Sequence, residues 1–213
     1  MAKRREGARK ARSFERKKAR AAKSQKSSVL IFGEDQACRE LYKLIAHFYP
    51  PDKFDSVKPQ FGNGGSPVDV IQNAFLYKGN CYNKIVVIMD YDFIESGGLS
   101  VDEIIAKAIK RMPNKRSLDK MPDKNDIRVI AVTPNCSECF LLRLTKEGKV
   151  STRKCGDCKD QCILKKIESN DFQKYIGLVD KEQLENLRKQ PQFRWINELL
   201  AEIQKEPGKM KGS

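Results

Sequence analysis

Lys84-Ile85-Val86-Val87-Ile88-Met89-Asp90-Tyr91-Asp92 is the stretch whose reading decides the fold. Ile85–Met89 is an unbroken apolar, largely β-branched run, the pattern of a strand covered on both faces. Such strands belong to parallel sheets enclosed by helices, so helical patterns are expected on either side. Toward the amino terminus, Val68, Ile71 and Phe75 share one helical face behind a start at Ser66-Pro67. Before them, Phe54–Val57 reads as a short strand, and Cys38, Leu41, Leu44, Ile45 and Phe48 trace a helix that Pro50-Pro51 stops. Ser28–Phe32, closed by Gly33, is the first strand. Toward the carboxyl terminus, Ser100 and Glu103 form a capping box ahead of the stripe Val101, Ile104, Ile105, Ala108 and Ile109. Ile127–Val132 is another buried strand. The order βαβαβαβ predicts an α/β fold: a parallel four-stranded sheet with helices on both faces and the strand carboxyl ends along one edge.

Two of these strands end in acid. The first runs into Gly33-Glu34-Asp35 and the third into Asp90-Tyr91-Asp92. In an extended segment residues two apart point the same way, so Asp90 and Asp92 are expected to project together into the crevice at the strand ends. Clustered carboxylates repel unless something positive neutralises them, and hard oxygen ligands suit Mg²⁺ or Mn²⁺. Acidic residues after strands also serve as helix caps, and that role is the one expected of Asp35.

Charge is distributed unevenly. The chain carries +14, and residues 1–27 hold twelve Lys or Arg against Glu6 and Glu15, so +10 of that charge resides in the first 27 residues. With Phe14 as its one large apolar side chain, this segment cannot bury enough surface to offset the entropy of ordering, and it reads as a disordered basic arm. Such an arm, with Arg4, Arg5, Arg9, Arg12, Lys17 and Lys18, matches a polyanion partner; a solubilising tail is the plainer reading. No apolar run exceeds the five residues of Ile85–Met89, far short of the roughly 20 that span a bilayer, so a cytoplasmic protein without membrane contact is expected. Domain organisation follows: the arm over 1–27, a sheet domain over 28–134, a Cys-rich and helical extension over 135–205 packing on it, and a tail over 206–213. In the extension, Glu182–Lys189 and Gln192–Gln204 read as amphipathic helices.

The seven cysteines are too many to ignore in a chain without a secretory signal. Cys136-x2-Cys139 and Cys155-x2-Cys158, fifteen residues apart, fit a four-cysteine structural Zn²⁺ site, with free thiols as the alternative. Cys38 and Cys81 lie apart from them and read as ordinary core or surface cysteines. Arg153 and Lys154 place a second basic patch beside the paired cysteines. Gly62-Asn63-Gly64-Gly65 ahead of a helix start is either a strand–helix connection or a phosphate contact.

A Glu after strand one and Asp-x-Asp after strand three resemble the Toprim domain, and in particular its RloB-like branch, linked to anti-phage loci. The residues carrying the resemblance are Val29–Glu34, Gly62–Pro67, Val86–Phe93 and Pro134–Glu138 ahead of Leu141-Leu142, spanning roughly residues 28–145. The resemblance implies a Mg²⁺- or Mn²⁺-dependent nuclease. Glu34 is then the general acid/base or shares the metal, Asp90 and Asp92 are the metal ligands, and Asn135 and Glu138 line the site. It also implies a role in anti-phage defence, as a homodimer or with a defence-system partner protein. The substrate stays open between RNA, tRNA included, and DNA. The competing reading is a non-catalytic nucleic-acid-binding module with a Toprim-like fold and a zinc loop.

Overall fold

A computed structural model describes residues 28–51, 56–62, 65–78, 82, 84–112, 123–134, 136–145 and 176–204. Four strands, β1 (Ser28–Gly33), β2 (Ser56–Phe61), β3 (Lys84–Asp90) and β4 (Ile127–Val132), form one sheet in the order β2-β1-β3-β4. All three pairings are parallel. The expected α/β architecture with helices on both faces is what forms.

Alternation along the strands sorts their side chains between two cores. Val29 and Ile31, Val86 and Ile88, and Ile130 and Val132 face one side. There they meet α1 (Gln36–Phe48), α5 (Ser137–Arg143), α6 (Lys181–Arg188) and α7 (Trp195–Gln204). Leu30 and Phe32, Ile85, Val87 and Met89, and Ile127 face the other. There they meet α2 (Pro67–Lys78), α3 (Tyr91–Ser96) and α4 (Val101–Lys110). β3 is buried from Ile85 to Asp90, as its uninterrupted apolar run requires.

Local signals set the helix starts. Ser100 accepts from Glu103 N–H while the Glu103 carboxylate takes the Ser100 N–H, the capping box read from sequence. Asp35 caps α1, its Oδ1 accepting from Cys38 N–H at 2.9 Å. Ser66 and Asp69 bond reciprocally at the start of α2. At Gly33 a Cβ would lie 2.8 Å from the Arg39 nitrogen, so the turn from β1 into α1 has no room for a side chain.

Two expectations shift. The second strand, expected over Phe54–Val57, is seen over Ser56–Phe61 and so continues past Val57, while residues 54 and 55 lie outside the described residues. Among the described residues it is an edge strand, hydrogen-bonded to β1, which is where Pro59 can be accommodated. The third strand stops at Asp90, and α3 begins at Tyr91, so Asp90 and Asp92 do not share an extended segment.

The chain entering α7 is tied back to the end of β4 by polar bonds at Thr133. Thr133 Oγ1 donates to the Gln192 carbonyl at 2.8 Å, and Trp195 Nε1 donates to the Thr133 carbonyl at 3.0 Å. Phe140 of α5 packs edge-on against the Trp195 ring at 4.9 Å between centroids. No helix among the described residues is long and apolar enough to cross a membrane.

Candidate metal centre

β1 and β3 are neighbours at the middle of the sheet, yet the helices that follow them pack on opposite faces, α1 on one and α3 and α4 on the other. Such a reversal, at the strand carboxyl ends, is the usual ligand position in an open α/β sheet. The residues immediately beyond the two strands therefore meet. Glu34 N–H donates to the Ile88 carbonyl at 2.9 Å, extending the ladder by one residue. Asp90 N–H donates to Glu34 Oε2 at 2.9 Å, fixing the Glu34 carboxylate against the end of β3.

Asp90 is 6% exposed. Its Oδ1 accepts from Ser137 N–H at 2.8 Å, and Ser137 Oγ lies 3.5 Å from its Oδ2. Cys38 Sγ, from α1, is 3.7 Å from Oδ1. Asp90 is thus held by β3, α1 and α5 together. Glu138 follows Ser137 on α5, and Ser137 Oγ approaches its Oε2 at 3.4 Å. Asp90, Cys136 and Glu138 each present a ligand atom, all within 4.8 Å of one another, a group that can hold a metal ion.

The electrostatics are one-signed. Burial pushes the Glu34 carboxyl up to about 8, with Asp35, Asp92 and Glu138 adding repulsion and the Asp90 N–H opposing it. Burial likewise raises Asp90 to about 8, reinforced by Glu34, Glu138 and Asp35. Asp35 is raised by burial, and the Cys38 thiol is raised well above its ordinary value by burial and by Asp90. Among the described residues no Lys or Arg forms an ion pair with Glu34, Asp90 or Glu138. A buried acidic group without a cation is the donor chemistry that a divalent ion fits.

Of the residues singled out in the sequence, Glu34, Asp90 and Glu138 come together. Asp92 is exposed in the first turn of α3, with Oδ1 accepting from Phe93 N–H at 2.9 Å, and lies near enough to raise Glu34. Cys136 lies near the carboxylates of Asp90 and Glu138, and both Cys136 and Cys139 are buried in the core that α1 covers. Asn135, Cys155, Cys158, Arg153 and Lys154, and the arm with Arg4, Arg5, Arg9, Arg12, Lys17 and Lys18, lie outside the described residues. Two contributors escape the sequence reading. Cys38 reads there as an ordinary cysteine, and Ser137 has no assigned role. A hint for Cys38 is available in its place three residues after the capping Asp35, in the helix turn nearest the strand ends. Comparisons with protein-family models, with curated proteins and with solved structures find no match to this chain.

Proposed function

We propose that the chain is a divalent-metal-dependent nuclease that hydrolyses phosphodiester bonds, acting on RNA such as tRNA or on DNA, in anti-phage defence. The observation that carries the reading is the meeting of Glu34, Asp90 and Glu138 at the sheet's switch point, in a chain whose net charge is +14. A buried acidic centre within a basic protein suits a polyanionic substrate whose reaction needs local positive charge.

Asp90, Cys136 and Glu138 would hold the ion, with Glu34 and Asp92 alongside. A bound Mg²⁺ or Mn²⁺ supplies a water of lowered pKa and stabilises charge on the phosphoryl oxygens. The chain's own residues do the rest. Asp90 is locked by Ser137 N–H, so its carboxylate needs no reorganisation to act as a ligand. Glu34 is anchored through Oε2 to the Asp90 amide, which leaves Oε1 to carry a proton to or from the reacting oxygen. With its carboxyl raised to about 8, Glu34 holds that proton at neutral pH until a cation arrives nearby. The basic arm supplies attraction to the phosphate backbone without sequence information.

The test is incubation of the full chain with end-labelled tRNA, single-stranded RNA and duplex DNA, with Mn²⁺, with Mg²⁺ and with chelator. Cleavage that requires the ion is expected. Tight binding with no cleavage under any of these conditions would overturn the nuclease and leave a nucleic-acid-binding module.

A further inference from the structure

The rim formed by the strand carboxyl ends carries an exposed aromatic ring and a braced guanidinium, one on each side of the carboxylates. Among the described residues, Leu76 and Tyr91 are the large apolar side chains left exposed. Tyr91 directly follows Asp90, yet it is 45% exposed where Asp90 is 6% exposed. Its ring does not fasten α3 to the sheet: Ile94 is buried in the core there, and Phe93 packs against that core. On the other side, Phe61 ends β2 opposite Gly33, and Gly33 lies opposite Ile88 of β3. Arg39, next to Cys38 near the start of α1, lays its guanidinium over the Phe61 ring, 4.4 Å from the centroid. The buried Glu40 holds it there, with Oε1 accepting from Arg39 Nε at 2.9 Å and Nη2 at 2.7 Å. Nη1 is the guanidinium nitrogen left for a ligand. Across the strand order β2-β1-β3 the rim thus runs from Arg39 through Glu34 and Asp90 to Tyr91. Neighbouring strands lie about 4.8 Å apart, so β2 and β3 are roughly 10 Å apart.

The two flanks suit different parts of a nucleotide. An arginine braced by a carboxylate and stacked on a ring is a pre-organised donor to phosphate. Asp92 and Glu95 are exposed on α3 together with Tyr91 and repel phosphate, so the Tyr91 ring suits the uncharged face of a base. In a duplex both faces of a base are covered by its stacked neighbours, and a side chain reaches one only where the nucleotide is unpaired. We propose that Tyr91 stacks on a nucleobase on one side of the acidic centre while Arg39 binds a backbone phosphate on the other, so that the centre takes a single-stranded stretch of nucleic acid rather than a duplex. The proposal rests on the nucleic-acid substrate of the reading above and narrows it. Glu40 is then a positioning residue, acting through Arg39.

The experiment is titration of the full chain, in chelator so that nothing is cut, with a single-stranded oligonucleotide carrying 2-aminopurine and with the same oligonucleotide in a duplex. Each is made as DNA and as RNA, which separates the two sources of an unpaired base. The wild type is expected to quench the single strand by stacking. Tyr91→Ala should remove the quenching and weaken single-strand binding by about 5–100-fold, with duplex affinity unchanged. Tyr91→Phe should bind as the wild type does, because the ring face and not the hydroxyl makes the contact. Arg39→Ala should reduce the log–log salt slope of single-strand binding by about 0.7, the share of one phosphate. An effect of Tyr91→Ala confined to RNA or to DNA supports the proposal and names the backbone. Tyr91→Ala acting equally on single strand and duplex, or on neither, overturns it, as does an unchanged salt slope in Arg39→Ala. If Arg39→Ala does not fold, the Tyr91 variants decide, since that ring lies outside the core. Cleavage is a separate readout. Tyr91-dependent binding of single strands by a protein that cuts nothing with Mg²⁺ or Mn²⁺ removes the nuclease and keeps the binding mode; ion-dependent cleavage by a protein whose Tyr91→Ala form binds and cuts single strands as the wild type does is the reverse.

Discussion

The two ends of β3 treat charge in opposite ways. At the amino end, Lys84 is ion-paired with the buried Glu202 of α7, and beside it Arg128 of β4 reaches Glu198 at 3.3 Å. At the carboxyl end, Asp90 is as buried as Glu202 but is surrounded by Glu34, Asp35 and Glu138. One strand therefore carries a carboxylate site paired with a lysine at one end and, at the other, one whose charged neighbours among the described residues are acids. An acid that serves only the fold is normally paired, because an unpaired buried charge costs several kcal/mol. The contrast teaches which acids belong to architecture and which await a ligand.

The largest effect should come from removing charge at the repulsive end. Asp90→Asn keeps an oxygen to accept the Ser137 N–H, so the loop into α5 stays in place while the ligand charge disappears. Ion-dependent cleavage should fall by several orders of magnitude, since ion binding and water activation go together. Single-turnover rates on a substrate the wild type cuts are the measure, and wild-type speed in the variant would move the active centre elsewhere. Next comes Glu34→Gln, which still accepts the Asp90 N–H but cannot exchange a proton. A loss of about 10²–10⁴-fold in turnover with substrate affinity retained is expected.

The third effect is on pH dependence. Glu34 and Asp90 titrate at about 8 in the folded, metal-free protein. In the unfolded chain their values are about 4. Between about pH 4 and 8 the folded state holds protons that the unfolded state has released, so stability is full at the acid end and falls as pH rises through 8. Denaturation midpoints with chelator should decline across that window, and a saturating divalent ion should flatten the decline. A midpoint that climbs with pH in chelator would contradict the repulsive centre.

The smallest effect makes the comparison directly. Neutralising an acid at each end should move metal-free stability in opposite directions. Glu202→Gln removes the charge that pairs with Lys84 and should cost about 1 kcal/mol, or roughly 2–4 °C in Tm. Asp90→Asn should gain a similar amount, as relief of strain at a functional site commonly does. Equal signs for the two variants would erase the distinction between the ends.

How much of this is legible in the sequence depends on whether the determinant is local. β3, β4 and the Ser100–Glu103 capping box are written in consecutive residues, and they lie where the pattern predicts. β2 has Lys58, Pro59 and Gln60 at its centre, and its position is set by the register against β1, with Val57 opposite Val29, rather than by its own alternation. Asp92 is misplaced by period-two reasoning, which holds only while the chain stays extended, and Asp90 already serves as the N-cap of α3. Glu34 and Asp90 are visible because strand order alone brings β1 and β3 together. The clamp by Ser137 and the approach of Cys38 span 47 and 52 residues of sequence, and no spacing rule reaches that far.

The chain contains a single tryptophan. Trp195 donates its indole N–H to the carbonyl of Thr133, the residue that follows β4. Its ring rests on Phe140, which lies on α5 together with Glu138. Its fluorescence is therefore uncontaminated by any second indole and comes from a buried chromophore coupled by direct packing to the helix that borders the acidic centre. The protein carries its own optical gauge: occupancy of that centre can be followed by emission from an unlabelled chain, and a paramagnetic or absorbing ion such as Co²⁺ will quench it in proportion to filling.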